Sequence, residues 1–468
     1  MTGIFNVRTF GAKGDGVTLD TDAIQQTIDT CASEGGGKVV FPAGRYLCGT
    51  VFLKNHVTIY LSEGCVLLGS KHIEHYGTGE PNPQMFGYDW ESVLFAKDVH
   101  DIAVIGLGVI NGQGNHFSVG AEAFSIDDQA KMPPMKVQIR PSLIYFKNCR
   151  NVRLENIRME NAAQFATLFE SCEGLKFRDV RIDSRQNLNT DGFHLVACRN
   201  IHISGCDINC GDDAIVINRS CDNVLIHNCV ISSRWAGIRV GPFSSGELRN
   251  ILVSHCIIRH TYGCAVKIQM GQGGIMENLR FQNLLMEDVT GPIAIRLCYF
   301  PGWQSKSEGS SSPGIIRNVL FQDIYANVAE APLPGPNESP EKEGEKRSCV
   351  SIDGNKDFPV ENVTFRNVSI TTTGGGLPEE ARGENYPIID NCYPEYFLAG
   401  TPPAYGMFAR YVNGLELENV RIKAIHSDAR PTLLFVNVED YSIANLKGSM
   451  AGQSKKADLQ LIDCIEEA

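Results

Sequence analysis

The residues best suited to chemistry lie between Asn189 and Ala214. They form two short acidic clusters, Asn189-Thr190-Asp191-Gly192-Phe193-His194 and Gly211-Asp212-Asp213-Ala214. Asp191 and Asp213 are 22 positions apart. Carboxylates held close together cannot all ionise easily, so at least one is expected to hold its proton to a higher pH. That is how a general acid is made at neutral pH. Asp-Gly is also a common turn former, and a double Asp before an apolar strand can be a solvated turn or part of a cation site. A calcium site would draw further oxygen ligands from adjacent loops, and no repeated acidic loop supplies them. The chemistry therefore depends on whether the fold stacks one cluster on the other.

A repeat supplies that stacking. Asn or Gly is followed by alternating apolar and polar residues in Asn151–Met159, and again in 174–182, 200–208, 223–231, 250–258 and 278–286. Weaker copies begin at Asn318, Asn362 and Gly414. The second-position residues are Val152, Leu175, Ile201, Val224, Ile251 and Leu279, so the interval runs from 23 to 28 residues. Alternation is strand periodicity, because successive side chains point to opposite faces. Strands at this interval with no helical stretch between them predict a solenoid of parallel strands, each coil burying its apolar residues against the next. The expected fold is all-β, a single-stranded parallel β-helix running through 1–468 as one elongated domain.

Neighbouring strands lie about 4.8 Å apart, so residues one coil apart are stacked. Aligning Gly192-Phe193-His194-Leu195 with Ala214-Ile215-Val216-Ile217 places Asp213 over Asp191, with Asp212 beside them. Continuing through Gly237-Ile238-Arg239-Val240, Ala265-Val266-Lys267-Ile268 and Ala294-Ile295-Arg296-Leu297 gives a column of His194, Val216, Arg239, Lys267 and Arg296. Three carboxylates next to a ladder of basic side chains are the makings of a catalytic cleft.

The remaining composition narrows the field. The chain has 468 residues, 43% of them hydrophobic, and a formal net charge of −12. That charge argues against nucleic acid as a general partner. No apolar run reaches the roughly 18 residues a membrane helix needs. The first residues lack a signal-peptide layout. The sixteen cysteines include Cys149, Cys172, Cys198 and Cys221 just before the repeated strands, where thiols can stack as small apolar groups. No Cys/His spacing suggests zinc. A reducing, cytoplasmic setting is expected. Near the N-terminus, Val7-Arg8-Thr9-Phe10 reads as a strand and Gly11–Gly16 as a loop. Asp20 or Thr21 should cap a helix to about Ala32 with Ala23, Ile24, Ile28 and Cys31 on one face. That helix would cover the open end of the core within a cap of about residues 1–55.

The chain resembles the polygalacturonase family, family 28 of the glycoside hydrolases. The resemblance rests on Phe10-Gly11-Ala12-Lys13-Gly14-Asp15-Gly16, Phe41-Pro42-Ala43-Gly44-Arg45-Tyr46, Gly108–Gly114, Arg140-Pro141, Asn189-Thr190-Asp191-Gly192 and Gly211-Asp212-Asp213. It covers most of residues 5–300. It implies a right-handed parallel β-helix and inverting hydrolysis of a glycosidic bond, with no metal or cofactor. It further implies Asp212 as the general acid, with Asp191 and Asp213 positioning and deprotonating the attacking water. The substrate-gripping set departs from the family pattern. Trp235-Ala236-Gly237 stands for Gly-His-Gly, Lys267-Ile268-Gln269 for Arg-Ile-Lys, and His194 for an Asp. Lys for Arg loses a bidentate carboxylate fork. A different sugar at the cleaved bond is therefore expected, held by His194, Arg239, Lys267, Gln269 and Arg296.

Residues 116–140, with Met132-Pro133-Pro134-Met135, interrupt the repeat, as do 299–315, where Tyr299 and Trp303 could stack on a sugar. Residues 327–348 and 374–408 read as irregular excursions. Such walls block long chains, which points to exo-action on short pectin-related oligosaccharides. The alternatives are a lyase or epimerase acting beside a uronate, and a non-catalytic carbohydrate-binding β-helix.

Overall fold

The computed structural model describes residues 3–79, 91–117, 139–187, 189–242, 246–299, 312–330, 347, 349–381, 383, 386–388, 399–450 and 457–466. The chain divides into two compact units. The first comprises Met1–Ala123, Pro133–Val216 and Cys221–Val230, the second Phe124–Met132, Ile217–Ser220 and Ile231–Ala468.

The first unit is a parallel β-helix with three strands per coil. One coil is Ser142–Lys147, Arg150–Glu155 and Arg158–Glu160, and the next is Thr167–Glu170, Glu173–Arg178 and Arg181–Ser184. Val152 pairs with Leu175, Leu175 with Ile201 and Ile201 with Val224, so the repeat is stacked in the expected register. All four are buried. Each such side chain withdrawn from water contributes about 1.5–3 kcal/mol.

The leading residue of each repeat has a conformational reason. Asn151, Asn200 and Asn223 have φ of 53°, 57° and 59°, the left-handed region that asparagine tolerates better than most residues. The chain turns there, and the amides join in rows. Asn223 donates to Asn200 (2.8 Å), and Asn200 donates to Glu173 (3.3 Å). The cysteines before these turns also stack: the N–H groups of Cys149, Cys172 and Cys198 lie 3.3–3.4 Å from the Sγ atoms of Cys172, Cys198 and Cys221.

The helix spans Thr21–Ser33 and packs against strands Gly3–Asn6 and Gly37–Phe41. Its buried face is Ile24, Thr27, Ile28 and Cys31. Ala23 is only half-buried, because the inward stripe passes through Thr27, whose hydroxyl is satisfied by Ala23 O (2.7 Å). Asp20 does not cap the helix through its side chain. Its carboxylate accepts from Lys13 N (2.7 Å) and Gly14 N (2.9 Å), tying down the glycine loop. Val7–Phe10 is a 3₁₀ turn rather than a strand. The strand precedes it at Gly3–Asn6, and Gly11 ends the turn at φ 102°.

The second unit is also a parallel β-helix. Its long strands Glu247–Thr261, Ile275–Val289, Ile315–Val328 and Val360–Thr372 pair in sequence. Phe281, Phe321 and Phe365 stack along the core with ring centroids 5.1 and 5.0 Å apart. Two amide rows follow the turns: Asn362 to Asn318 to Asn278 to Asn250, and Asn445 to Asn419 to Asn367 to Asp323. Of the stretch expected to be irregular at 327–348, Asn327 and Val328 complete a strand, while 331–346 and 348 lie outside the described residues. In 374–408, Pro378–Ala381 is a 3₁₀ turn and Met407 begins a strand. Residues 118–138, which include Met132-Pro133-Pro134-Met135, and Trp303 also lie outside the described residues.

Candidate active site

In the first unit the acids sit on the connections that lead from the third strand of a coil into the next coil. Asp191 lies just before strand Phe193–Val196. The N–H groups of Gly192 and Phe193 donate to the carbonyls of Asp213 (3.0 Å) and Ala214 (2.9 Å). That parallel register sets Asp213 beside Asp191, one strand spacing away. Asp191 and Asp213 are 5% and 4% exposed, and Asp212 is more open.

A buried hydrogen-bond network fixes the two connections. Thr190 is fully buried, and its hydroxyl lies 2.6 Å from Ser184 O and 2.9 Å from Asn187 O. The same oxygen accepts from Gly211 N (3.0 Å). Asp212 N donates to Thr190 O (3.3 Å). The approach is close enough to require glycine at both connections. A Cβ on Gly211 would lie 2.0 Å from Asn187 O, and one on Gly192 2.3 Å from Ala214 O. The Asp-Gly sequence thus serves strand contact as well as turning.

Each carboxylate has a distinct environment. Asp191 Oδ2 lies 2.5 Å from His194 Nδ1. His194 stacks on Phe165, with centroids 4.7 Å apart and planes 28° off parallel. Asp212 accepts from Asp213 N (2.9 Å) through Oδ1 and from Asn189 Nδ2 (3.2 Å) through Oδ2. Asn189 is oriented in turn by Arg140, whose Nη2 donates to Asn189 Oδ1 (3.0 Å) and Nη1 to Ala163 O (3.1 Å). Burial pushes the Arg140 guanidinium down to about 10, while the charge of Asp212 pulls it up. It remains a cation at neutral pH. In the sequence Arg140 stands out only as half of Arg-Pro, and Phe165 carries no signal.

The second unit holds the other predicted residues. Arg239, Lys267, Gln269 and Arg296 are each no more than 3% exposed. Arg239 Nη2 donates to Gln269 Oε1 (2.7 Å). Lys267 Nζ lies 5.2 Å from the centroid of the Trp235 ring. Arg239 pairs with Lys267 as expected, but Lys267 pairs with Ala294, and Arg296 pairs with Gln269. The expected column is therefore displaced by two residues at Arg296. A slip of two leaves every side chain on its own face, so apolar alternation could not detect it. Arg296 belongs instead to the row of Gln269, Asp353 and Arg410.

That row joins groups that share no pattern along the chain. Arg410 grips Asp353 through Nε (2.7 Å) and Nη2 (2.9 Å), and its Nη1 donates to Tyr386 O (2.8 Å). Burial raises the Tyr386 phenol, and the Asp353 charge adds to this, against the opposing pull of Arg296 and Arg410. Tyr299 follows strand Ile293–Leu297 and is half-buried.

Coiled parallel strands presenting clustered carboxylates on inter-coil connections are the framework expected of a β-helical glycoside hydrolase. The sequence profile of the glycosyl hydrolases family 28 matches residues 65–392, and the chain belongs to that family. It is 27% identical over 390 residues to Polygalacturonase-2 of Solanum lycopersicum, covering 82% of this chain and 78% of that protein. Its fold is similar to that of an exopolygalacturonase from Thermotoga maritima, with a TM-score of 0.67 at 18% identity, covering 90% and 92% of the two chains. It is equally similar to a family 28 exopolygalacturonase from Yersinia enterocolitica, with a TM-score of 0.67 at 17% identity, covering 99% and 78%. The parallel β-helix expected from the repeat, right-handed as the family resemblance implies, is the fold of the chain.

Proposed function

We propose that this enzyme hydrolyses pectin-related oligosaccharides, with inversion and from a chain end. The observation that carries this reading is the set of three carboxylates gathered on two hydrogen-bonded connections of the first unit. Asp212, the most open of the three, is proposed as the acid that protonates the leaving oxygen. Asp191 and Asp213 are proposed to hold and deprotonate water, with His194 orienting Asp191. Arg239, Lys267 and Arg296 are the side-chain types that bind a uronate carboxylate, and Gln269 orients Arg239. The name of the tomato relative supports the substrate class. The insertions in the repeat support end-wise cleavage. The fifteen described cysteines are free thiols, fourteen of them buried, which supports a reducing, cytoplasmic setting that cell fractionation would test.

The test is product analysis of the wild type and Asp212→Asn on pectic and neutral oligosaccharides, by mass and anomeric configuration. One sugar released per event with inverted configuration, and a loss of about 10²–10⁴-fold in Asp212→Asn, are the expected results. A product lighter by one water would replace hydrolysis with elimination. Random internal fragments from a polymer would refute end-wise action.

A further inference from the structure

The line of left-handed turn residues in the first unit changes character at its N-terminal end. The strand registers set His56 beside Asp101 and Asp101 beside Asn151. All three are left-handed, with φ of 60°, 55° and 53°. Where later coils carry Asn, these two carry His and Asp, both metal-ligand types.

The side chains converge. Asn151 Nδ2 donates to Asp101 Oδ1 (2.5 Å). Asp101 Oδ2 lies 2.9 Å from His100 Nδ1 and 3.3 Å from His56 Nδ1. One donor atom from each of His56, His100 and Asp101 falls within 4.8 Å of the others. The backbones are pinned as well, because His56 N donates to His100 O (3.2 Å) and His100 N to Asn55 Oδ1 (2.9 Å). The imidazoles meet edge to face with centroids 4.8 Å apart. A tetrahedral zinc with ligands at 2.0–2.1 Å needs donors roughly 3.3 Å apart. Two of the three separations already lie near that value, and rotation of the exposed His56 ring closes the third.

We propose that His56, His100 and Asp101 form a site for one divalent transition-metal ion of the zinc type, with water as the fourth ligand. Two imidazoles select such ions over calcium or magnesium, which take oxygen ligands. Asn151 would act as the outer partner that orients a ligating carboxylate. The site shares no residue with the acid cluster. A bound ion would tie the turn before strand Val57–Leu61 to the start of strand His100–Gly106, holding two early coils together.

The test is calorimetric titration of the chelator-stripped full chain with Zn²⁺, alongside Asp101→Asn, His100→Ala, Asn151→Ala and His72→Ala. Asp101→Asn restores the residue type that later coils carry in this row, so it removes a ligand while suiting the fold. The expected result is one equivalent bound at about micromolar affinity. Asp101→Asn and His100→Ala should weaken binding at least about tenfold, and Asn151→Ala about tenfold as an outer partner. His72→Ala, which alters an exposed histidine beside Glu74, should leave it unchanged. Zn²⁺ should raise the melting midpoint of the wild type and not of Asp101→Asn. Absence of saturable binding at millimolar zinc, or equal binding in a correctly folded Asp101→Asn, would overturn the proposal.

Discussion

Replacing Thr190 by Val removes one hydroxyl and almost no volume, so it isolates the hydrogen bonds that join the two acidic connections. That hydroxyl receives Gly211 N–H and reaches the carbonyls of Ser184 and Asn187 at a fully buried position. Val leaves the Gly211 N–H without this acceptor, and a buried donor so stranded costs about 1–3 kcal/mol. Close packing prevents compensation by a shift, because the Cβ position of Gly211 already lies 2.0 Å from Asn187 O. Gly211 directly precedes Asp212 and Asp213, so part of the cost falls on their placement. About 1.4 kcal/mol of misplacement lowers kcat about tenfold. Thr190→Val should therefore lower stability by about 2 kcal/mol and kcat by about tenfold, with KM nearly unchanged. Thr190→Ser, which keeps the hydroxyl, should retain most of both. Urea unfolding and initial rates on a pectic oligosaccharide measure the two effects. Wild-type kcat and stability in Thr190→Val, or equal damage in Thr190→Ser, would refute the reasoning.

Asp353→Asn should destabilise the second unit by about 3–5 kcal/mol, since it strands the buried Arg410 charge. Asp353→Leu with Arg410→Met should lose less than the sum of its single substitutions, as a double-mutant cycle in urea would show. Stability should also fall as pH rises from about 9 towards 12. Burial pushes the Cys65 and Cys349 thiols up to about 12 from an ordinary 9.0. The unfolded chain therefore releases these protons first and is favoured as the solution becomes alkaline. Cys65→Ala with Cys349→Ala should flatten that decline, read from melting midpoints between pH 8 and pH 11.

Local sequence carried the coils because each turn needs a left-handed residue, and asparagine at a regular interval marks it. The pairing of Asp191 with Asp213 was legible for the same reason: the two stand one coil apart, with glycine or alanine immediately after each. Legibility stopped where two registers bury the same faces, as at Arg296, whose partner is Gln269 rather than Lys267. It also stopped where partners meet only in space. The stacking of Phe165 on His194 and the grip of Arg410 on Asp353 join segments with no shared pattern. At Val7–Phe10, four residues with strand-like composition were bent into a 3₁₀ turn, with Asn6 at its start accepting from Arg8 N.

The amide rows have a direction. In each, the later coil donates its NH₂ and the earlier coil supplies the oxygen, so every dipole along the row points the same way. Three of these runs of donors lead back to a carboxylate: Glu173, Asp101 and Asp323 each receive an asparagine NH₂ from the following coil. The earlier coil at such a contact always meets the newcomer with a bare oxygen. Assembly along these rows is thus vectorial. A coil completed by the ribosome offers the acceptors that the next coil needs, in the order in which the chain is made, and where a row begins at a carboxylate that negative head is in place before its first amide arrives.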